Sequence, residues 1–337
     1  MPLLPPQLLS PQSFHGFEAR PPFFEGWYFK FVDAARGRRF AVIPGLFLDP
    51  LGVDSHAFVQ TLDGASGRSD YHRYPLHDFV AHPTRFRVRV GPNLFSNDEI
   101  ALNLAPDDPE QRMVGVLRFH GVQGWPISIA SPGIMGWYSY LPFMECSHGV
   151  LSFDHAITGQ LAVGTESIFF DGGRGYTEKD WGQAFPQAWV WMQSNHFSRP
   201  GVCLTASVAQ IPWLGSAFRG FIVGLWLDGV LYRFATYTGA RIERLEVRDG
   251  AVDLALRGPV QLEGERRMMT LTLHAERRDE QVDLLHAPYR TAMLQRVLES
   301  LTATVSVRLS DDDGVVYFDE QGDCAGLELG GDLSLIL

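Results

Sequence analysis

Apolar side chains recur at every second position over much of this chain, and that period restricts it to β-structure. Successive strand residues point to opposite faces, so such a run buries one face and wets the other. In residues 85–90, Arg85, Arg87 and Arg89 take one side while Phe86, Val88 and Val90 take the other. Met269, Leu271 and Leu273 alternate with Thr270, Thr272 and His274, and Val305, Val307 and Leu309 repeat the pattern. Leu245 and Val247 run into Asp249-Gly250, after which Val252, Leu254 and Leu256 resume the alternation. Asp-Gly between two such runs predicts a two-residue hairpin, because both turn positions take φ > 0.

Many short strands parted by Gly, Pro and Asp predict antiparallel barrels or sandwiches, and 337 residues suit two such units better than one. A weak echo between Glu25-Gly26-Trp27-Tyr28-Phe29-Lys30 and Gln187-Ala188-Trp189-Val190-Trp191-Met192 agrees with two units. The break is expected in 159–164, giving one unit over 14–162 and another over 163–337. Residues 1–13, rich in proline and without charge, form a flexible lead. One short helix near the C-terminus is predicted over about 289–300, where Met293, Leu294, Val297, Leu298 and Leu301 share a helical face.

Charge and cysteine usage remove several classes of function. The formal net charge is -11 and no basic stripe exists, so nucleic acid is not an expected partner. Three scattered cysteines make no disulfide framework, which favours a reducing cytoplasm. The N-terminus lacks the charged and apolar regions of a signal peptide. The uncharged stretch from Gly121 to Met144 is broken by Pro126, Pro132 and Pro142, so it reads as apolar loop and strand at a pocket rim rather than a spanning helix.

Few motifs carry chemistry. Gly172-Gly173-Arg174-Gly175 lacks the Lys-Ser/Thr of a phosphate loop and reads as a turn. Glu145-Cys146-Ser147-His148 has a di-metal spacing but no helical bundle around it, and His72, His77 and His82 share no face, so no metal is expected. The densest segment is Tyr176-Thr177-Glu178-Lys179-Asp180-Trp181-Gly182, followed by Phe185-Pro186 and by Trp189, Trp191, Gln193 and Asn195. On a strand the last four share one face, where two indoles beside two amides predict an interior cavity: an apolar wall with a polar grip. A carboxyl such as Glu178, Asp180 or Glu25 among these rings is a candidate proton donor, with a surface salt-bridge cluster as the plain alternative.

These segments resemble the tocopherol cyclases. Phe24-Glu25-Gly26-Trp27-Tyr28-Phe29-Lys30 is similar to that family's N-terminal signature, and the 176–195 run resembles its central block. Gly136-Trp137, Pro142 and Glu145 match a third block, and Gly326-Leu327-Glu328-Leu329-Gly330-Gly331 a fourth. The resemblance implies an all-β fold of two lipocalin-like antiparallel β-barrels in tandem. It implies a cofactor-free enzyme that protonates a prenyl alkene and lets a phenol oxygen capture the cation, closing a chromanol ring. Glu178 is then the expected proton donor, Tyr176 its partner or relay, and Asp180 or Glu25 the acceptor of the phenolic proton. Trp27, Tyr28, Trp137, Glu145, His148, Trp181, Phe185, Trp189, Trp191, Gln193 and Asn195 are the expected substrate contacts. Asp180 stands where the family pattern has Asn, and Cys146-Ser147-His148 replaces a Pro-His-Trp-like stretch. Two alternatives stay open: a hydratase-type lyase or isomerase adding water to an isoprenoid or carotenoid alkene, and a non-catalytic carrier of lipid or quinone. In each case the partner is a hydrophobic small molecule, which is compatible with peripheral contact at a membrane.

Overall fold

A computed structural model describes residues 9–105, 107–262, 264–278 and 283–337. The chain divides into two units: residues 1–185 with 284–295, and residues 186–283 with 296–337. Each is built on one antiparallel sheet.

The first sheet has 12 strands. They are β1 (Phe23–Val32), β2 (Arg39–Leu48), β3 (His56–Asp63), β4 (Ser69–Tyr74), β5 (Phe79–Ala81), β6 (Arg87–Val90), β7 (Asn93–Ser96), β8 (Glu99–Leu104), β9 (Met113–His120), β10 (Cys146–Val163), β11 (Glu166–Phe169) and β12 (Gly173–Gly182). The order is β4-β3-β2-β1-β12-β10-β9-β8-β7-β6-β5, with β11 paired to β10. Its ends curl towards each other: β3 packs near β6, and Asn93 Nδ2 donates to the Tyr74 hydroxyl at 3.1 Å. The barrel closes over a ring-rich core that includes Trp27, Phe29, Phe31, Phe40, Phe86 and Phe95.

The second sheet has 10 strands. They are β13 (Ala188–Ser194), β14 (Val202–Trp213), β15 (Ser216–Leu227), β16 (Val230–Ala235), β17 (Arg241–Arg248), β18 (Ala251–Leu262), β19 (Glu265–Glu276), β20 (Leu285–Tyr289), β21 (Ala292–Asp311) and β22 (Val316–Gly331). The order is β16-β15-β14-β13-β22-β21-β19-β18-β17, with β20 paired to β21. β16 packs against β18, which brings this sheet round as well. Its core is aliphatic, with Val190, Met192, Val223, Leu271, Val305 and Leu327 among its members.

The alternating runs become these strands. Val88 and Val90 are buried while Arg87 and Arg89 are exposed. The Asp249-Gly250 hairpin forms with φ of 50° and 81° between the paired Arg248 and Ala251. The fold is thus all-β, two antiparallel lipocalin-like barrels.

Three expectations need revising. Residues 289–300 are not a helix: β20 ends at Tyr289 and β21 begins at Ala292. Apolar side chains sit on both faces of β21, with Val297 and Leu301 buried, Leu298 half-buried and Leu294 exposed, so the two-residue alternation is hidden and the spacing imitates a helical face. The units part at 185/186 rather than 162/163, because β12 pairs with both β1 and β10 and completes the first barrel. Residues 1–8 of the expected flexible lead lie outside the described residues. Pro11, Gln12 and Ser13 are held by their carbonyls to side chains of β12 and β1. No helix among the described residues is long and apolar enough to cross a membrane.

Candidate active site

β12 is the hinge of the chemistry, because its alternation sends neighbouring charges to opposite faces. Thr177, Lys179 and Trp181 face the first barrel's core, where they stand opposite Phe29, Trp27 and Glu25 of β1. Tyr176, Glu178 and Asp180 take the other face, opposite Lys30, Tyr28 and Gly26.

On the core face, Glu25 and Lys179 form an ion pair at 2.5 Å, both fully buried. The Lys179 ammonium also donates to the Pro11 carbonyl at 3.0 Å, to the Ser13 carbonyl at 2.5 Å and to His15 Nδ1 at 2.7 Å. It lies 4.9 Å from the Trp27 ring centre and 4.8 Å from that of Trp181. The Glu25 carboxylate accepts the His15 backbone N–H at 2.9–3.0 Å, and the His15 ring stacks on Trp181 at 4.4 Å. Burial lowers the Lys179 pKa to about 8, opposed by the charge of Glu25. A pair this deep, with every neighbour engaged, ties the N-terminal strap to β1 and β12.

On the opposite face stands a second cluster. The Tyr176 hydroxyl donates to Glu178 Oε2 at 2.5 Å. His148, on β10 directly across from Asp180, sits between two carboxylates. Its Nδ1 is 2.8 Å from Asp180 Oδ1, and its Nε2 is 3.6 Å from Glu178 Oε2. Glu178 is 5% exposed and lies between Tyr28 of β1 and Val150 of β10. The neighbouring Cys146 thiol is pushed well up by burial, with Asp180 and Glu145 adding to the rise. One ligand atom each from His148, Glu178 and Asp180 lie within 4.8 Å of one another. The imidazole turns a different nitrogen to each carboxylate: Nδ1 is within hydrogen-bond length of Asp180, and Nε2 stands 3.6 Å from Glu178, beyond it.

In the second unit, Trp189, Trp191 and Gln193 lie on the face of β13 away from the barrel core, since Val190 and Met192 fill that core. The interior cavity expected beside these indoles is therefore corrected: the barrel is packed with aliphatic side chains, and the indoles line its other face. They are buried there all the same. Trp189 and Trp191 stand directly across from Gly330 and Glu328 of β22, and Gln193 across from Gly326. A Cβ at Gly330 would come within 2.2 Å of the Trp189 ring, and one at Gly326 within 2.5 Å of Trp191. Glycine at both positions lets the indoles lie flat on the sheet. Trp189 Nε1 donates to Glu328 Oε2 at 2.9 Å, and the Arg296 guanidinium stands 5.3 Å from the Trp189 ring centre. Gln193 Nε2 points to Cys203 Sγ at 3.6 Å, and Asn195 is buried at the strand's end.

The expected site residues thus separate into groups. Tyr176, Glu178, Asp180, His148 and Tyr28 share the outward face of the first sheet. Trp189, Trp191 and Gln193 share a face of the second sheet. Glu25, Trp27 and Trp181 belong to the strap lock on the core face, which gives Glu25 a structural partner in place of a proton to move. Trp137 is half exposed and stacks on Tyr138 at 4.1 Å. Glu145 accepts the Arg290 guanidinium at 2.8 Å, and Phe185 packs edge-on against Phe24 at 5.4 Å. Sequence reasoning passed over three residues. Lys30 is buried opposite Tyr176, and Glu299 is buried directly across from Glu328. His15 completes the lock. The two-residue offset from Tyr28 was a signal for Lys30; Glu299 and His15 depend on register, which no local pattern encodes.

A family profile described as tocopherol cyclase-like matches residues 103–331. A probable chloroplastic tocopherol cyclase of Oryza sativa subsp. japonica is 25% identical over 226 residues, covering 62% of this chain and 45% of its own length. The chloroplastic tocopherol cyclase of Zea mays is 23% identical over 383 aligned residues, covering 96% of this chain and 78% of its own. The chain thus aligns with less than half of the rice protein. Among solved structures, CghA with Sch210972 shares the fold with a TM-score of 0.51 at 12% identity, covering 93% of this chain and 89% of that one.

Proposed function

The chain belongs to the tocopherol cyclase-like family, and from that premise we propose that it closes a chromanol ring on a prenylated hydroquinone by acid catalysis. The observation that supports this reading is the buried Glu178, held by the Tyr176 hydroxyl and facing an imidazole that Asp180 orients.

In its protonated form Glu178 gives a hydrogen to the prenyl double bond. The π bond breaks, a C–H bond forms, and the positive charge settles on the tertiary carbon. Tyr28, across the strand from Glu178, offers a ring face to that cation, worth roughly 0.5–2 kcal/mol. The phenol oxygen then forms the C–O bond and releases its proton to His148. His148 Nδ1–H donates to Asp180, which keeps Nε2 turned to Glu178 and lets the proton return there. The sum is an isomerisation: no proton, electron or water is consumed. Exclusion of water by the buried face separates ring closure from hydration. We assign the reaction to the cytoplasm, in keeping with three sparse cysteines.

The test is incubation with prenylated hydroquinones of several tail lengths and mass spectrometry of the products. A chromanol from the native protein and none from Glu178→Gln supports the reading. Unchanged substrate throughout, with binding retained, favours a carrier and refutes it.

A further inference from the structure

The face of the second sheet that carries the indoles also carries hydrogen-bond acceptors that the ring-closing chemistry leaves unused. Residues directly opposed on neighbouring strands share a face. Glu299 of β21 opposes Glu328 of β22, and Glu328 opposes Trp191 of β13, so the three stand in one row. In the next row Gly326 opposes Gln193, which in turn opposes Thr205 of β14. A Cβ at Gly326 would lie 2.5 Å from the Trp191 ring and 3.7 Å from Glu299 Oε1. The missing side chain brings an indole edge and a carboxyl oxygen together over one bare stretch of backbone, with Gln193 on the strand beside it.

Gln193 is the informative residue. It is fully buried, as is Glu299. The Cys203 thiol donates to the Leu204 carbonyl at 3.6 Å, and its sulfur accepts Gln193 Nε2 at 3.6 Å. That contact fixes which end of the amide is oxygen. Gln193 Oε1 is then left with no hydrogen-bond partner among the described residues. A buried amide oxygen in that state costs stability, and a native chain keeps such a group where something outside the chain completes it. Leu or Met would fill the same position without the cost.

The chemistry of the complement follows. Gln193 Oε1 and the oxygens of the Glu299 and Glu328 carboxyl groups are acceptors, so the ligand brings donors. Indoles lying flat on a sheet suit a planar ring. An organic cation fits less well, because the Arg296 guanidinium, 5.3 Å from the Trp189 ring centre, already supplies positive charge to this face. We propose that this face of the second unit binds the hydroxyl groups of a phenol-type ring, with Gln193 Oε1 and the Glu299 carboxyl group as acceptors and Trp191 as the packing surface. The site is built within the second unit. The inference goes beyond the ring-closing reading and does not rest on it.

The experiment titrates the full chain with resorcinol and, separately, with its dimethyl ether, following tryptophan emission and saturation transfer to the ligand protons. The ether keeps the ring and both oxygens but has no donor. Resorcinol should bind more tightly than the ether by roughly tenfold or more. Gln193→Met keeps the volume and removes the acceptor, so it should weaken resorcinol binding roughly tenfold while the melting temperature holds or rises. Glu299→Gln should weaken binding by a similar factor. The comparison of the two ligands needs no variant and decides the matter should a variant fail to fold. Absence of resorcinol binding, equal affinity for the ether, tighter binding of tetramethylammonium than of resorcinol, or native affinity in Gln193→Met or Glu299→Gln would each overturn the proposal.

Discussion

Two charged clusters share the strand β12 and differ in almost every respect. The Glu25–Lys179 pair faces the ring-filled core, is fully buried, and has the strap carbonyls and two indoles as neighbours. The Glu178–His148–Asp180 group faces the other way, with His148 set between the two carboxylates and the Tyr176 hydroxyl donating to Glu178. Residues 178, 179 and 180 are consecutive, yet the strand period separates a buried ion pair from the proposed site. The lesson is that composition around a residue in sequence says little about its role until the facing is known.

Crossed substitutions sharpen this contrast. Glu178→Gln should lower turnover by roughly 10²–10⁴-fold while the melting temperature holds, read by product formation and thermal unfolding. Lys179→Met should do the reverse. Leaving Glu25 buried without its cation should cost about 3–5 kcal/mol in denaturant titration, with turnover per folded molecule preserved. If both variants lost activity and stability together, the two faces would not be separable.

Next in size is Gly330→Ala in the second unit. The added methyl meets the Trp189 ring, so unfolding free energy should fall by about 1–3 kcal/mol with a change in tryptophan emission. Asp180→Asn weakens the orientation of His148 and should slow turnover roughly tenfold, with a displaced pH–rate profile as the readout.

A last contrast, seen only on the acid side, sets two histidines of β10 apart. His148 joins the outward cluster, whereas His155 is fully buried against Phe119, and burial lowers its pKa to about 3. The unfolded chain binds this proton near pH 6.5 and the folded chain does not. The stability that neutral His155 contributes is therefore complete above about 6.5 and is lost as pH falls towards 3. His155→Leu should flatten the acid limb of a stability–pH curve; an unchanged limb would remove His155 from the account.

Strand content was legible because alternation is a local property, and so was the Asp249-Gly250 hairpin. The central block was legible in kind: Tyr176, Glu178 and Asp180 are two apart and necessarily share a face. Partners were not, because the meeting of Glu25 with Lys179, or of His148 with Asp180, depends on register between strands distant in sequence. The 289–300 region misled because apolar residues occupy both faces of β21 there, Val297 on one and Leu298 on the other, which hides the period that reveals a strand. Burial of Trp189 and Trp191 was readable from their size; the face they bury was not, since either side of β13 offered a buried setting.

The central claim is that Glu178 transfers a proton from solvent-exchangeable groups to a substrate carbon. Incubating the native protein with a prenylated hydroquinone in heavy water tests it directly. The account predicts a chromanol carrying one carbon-bound deuterium beside the new C–O bond, and no such product from Glu178→Gln. Chromanol formed without carbon-bound deuterium, or formed equally well by the Gln variant, would contradict it.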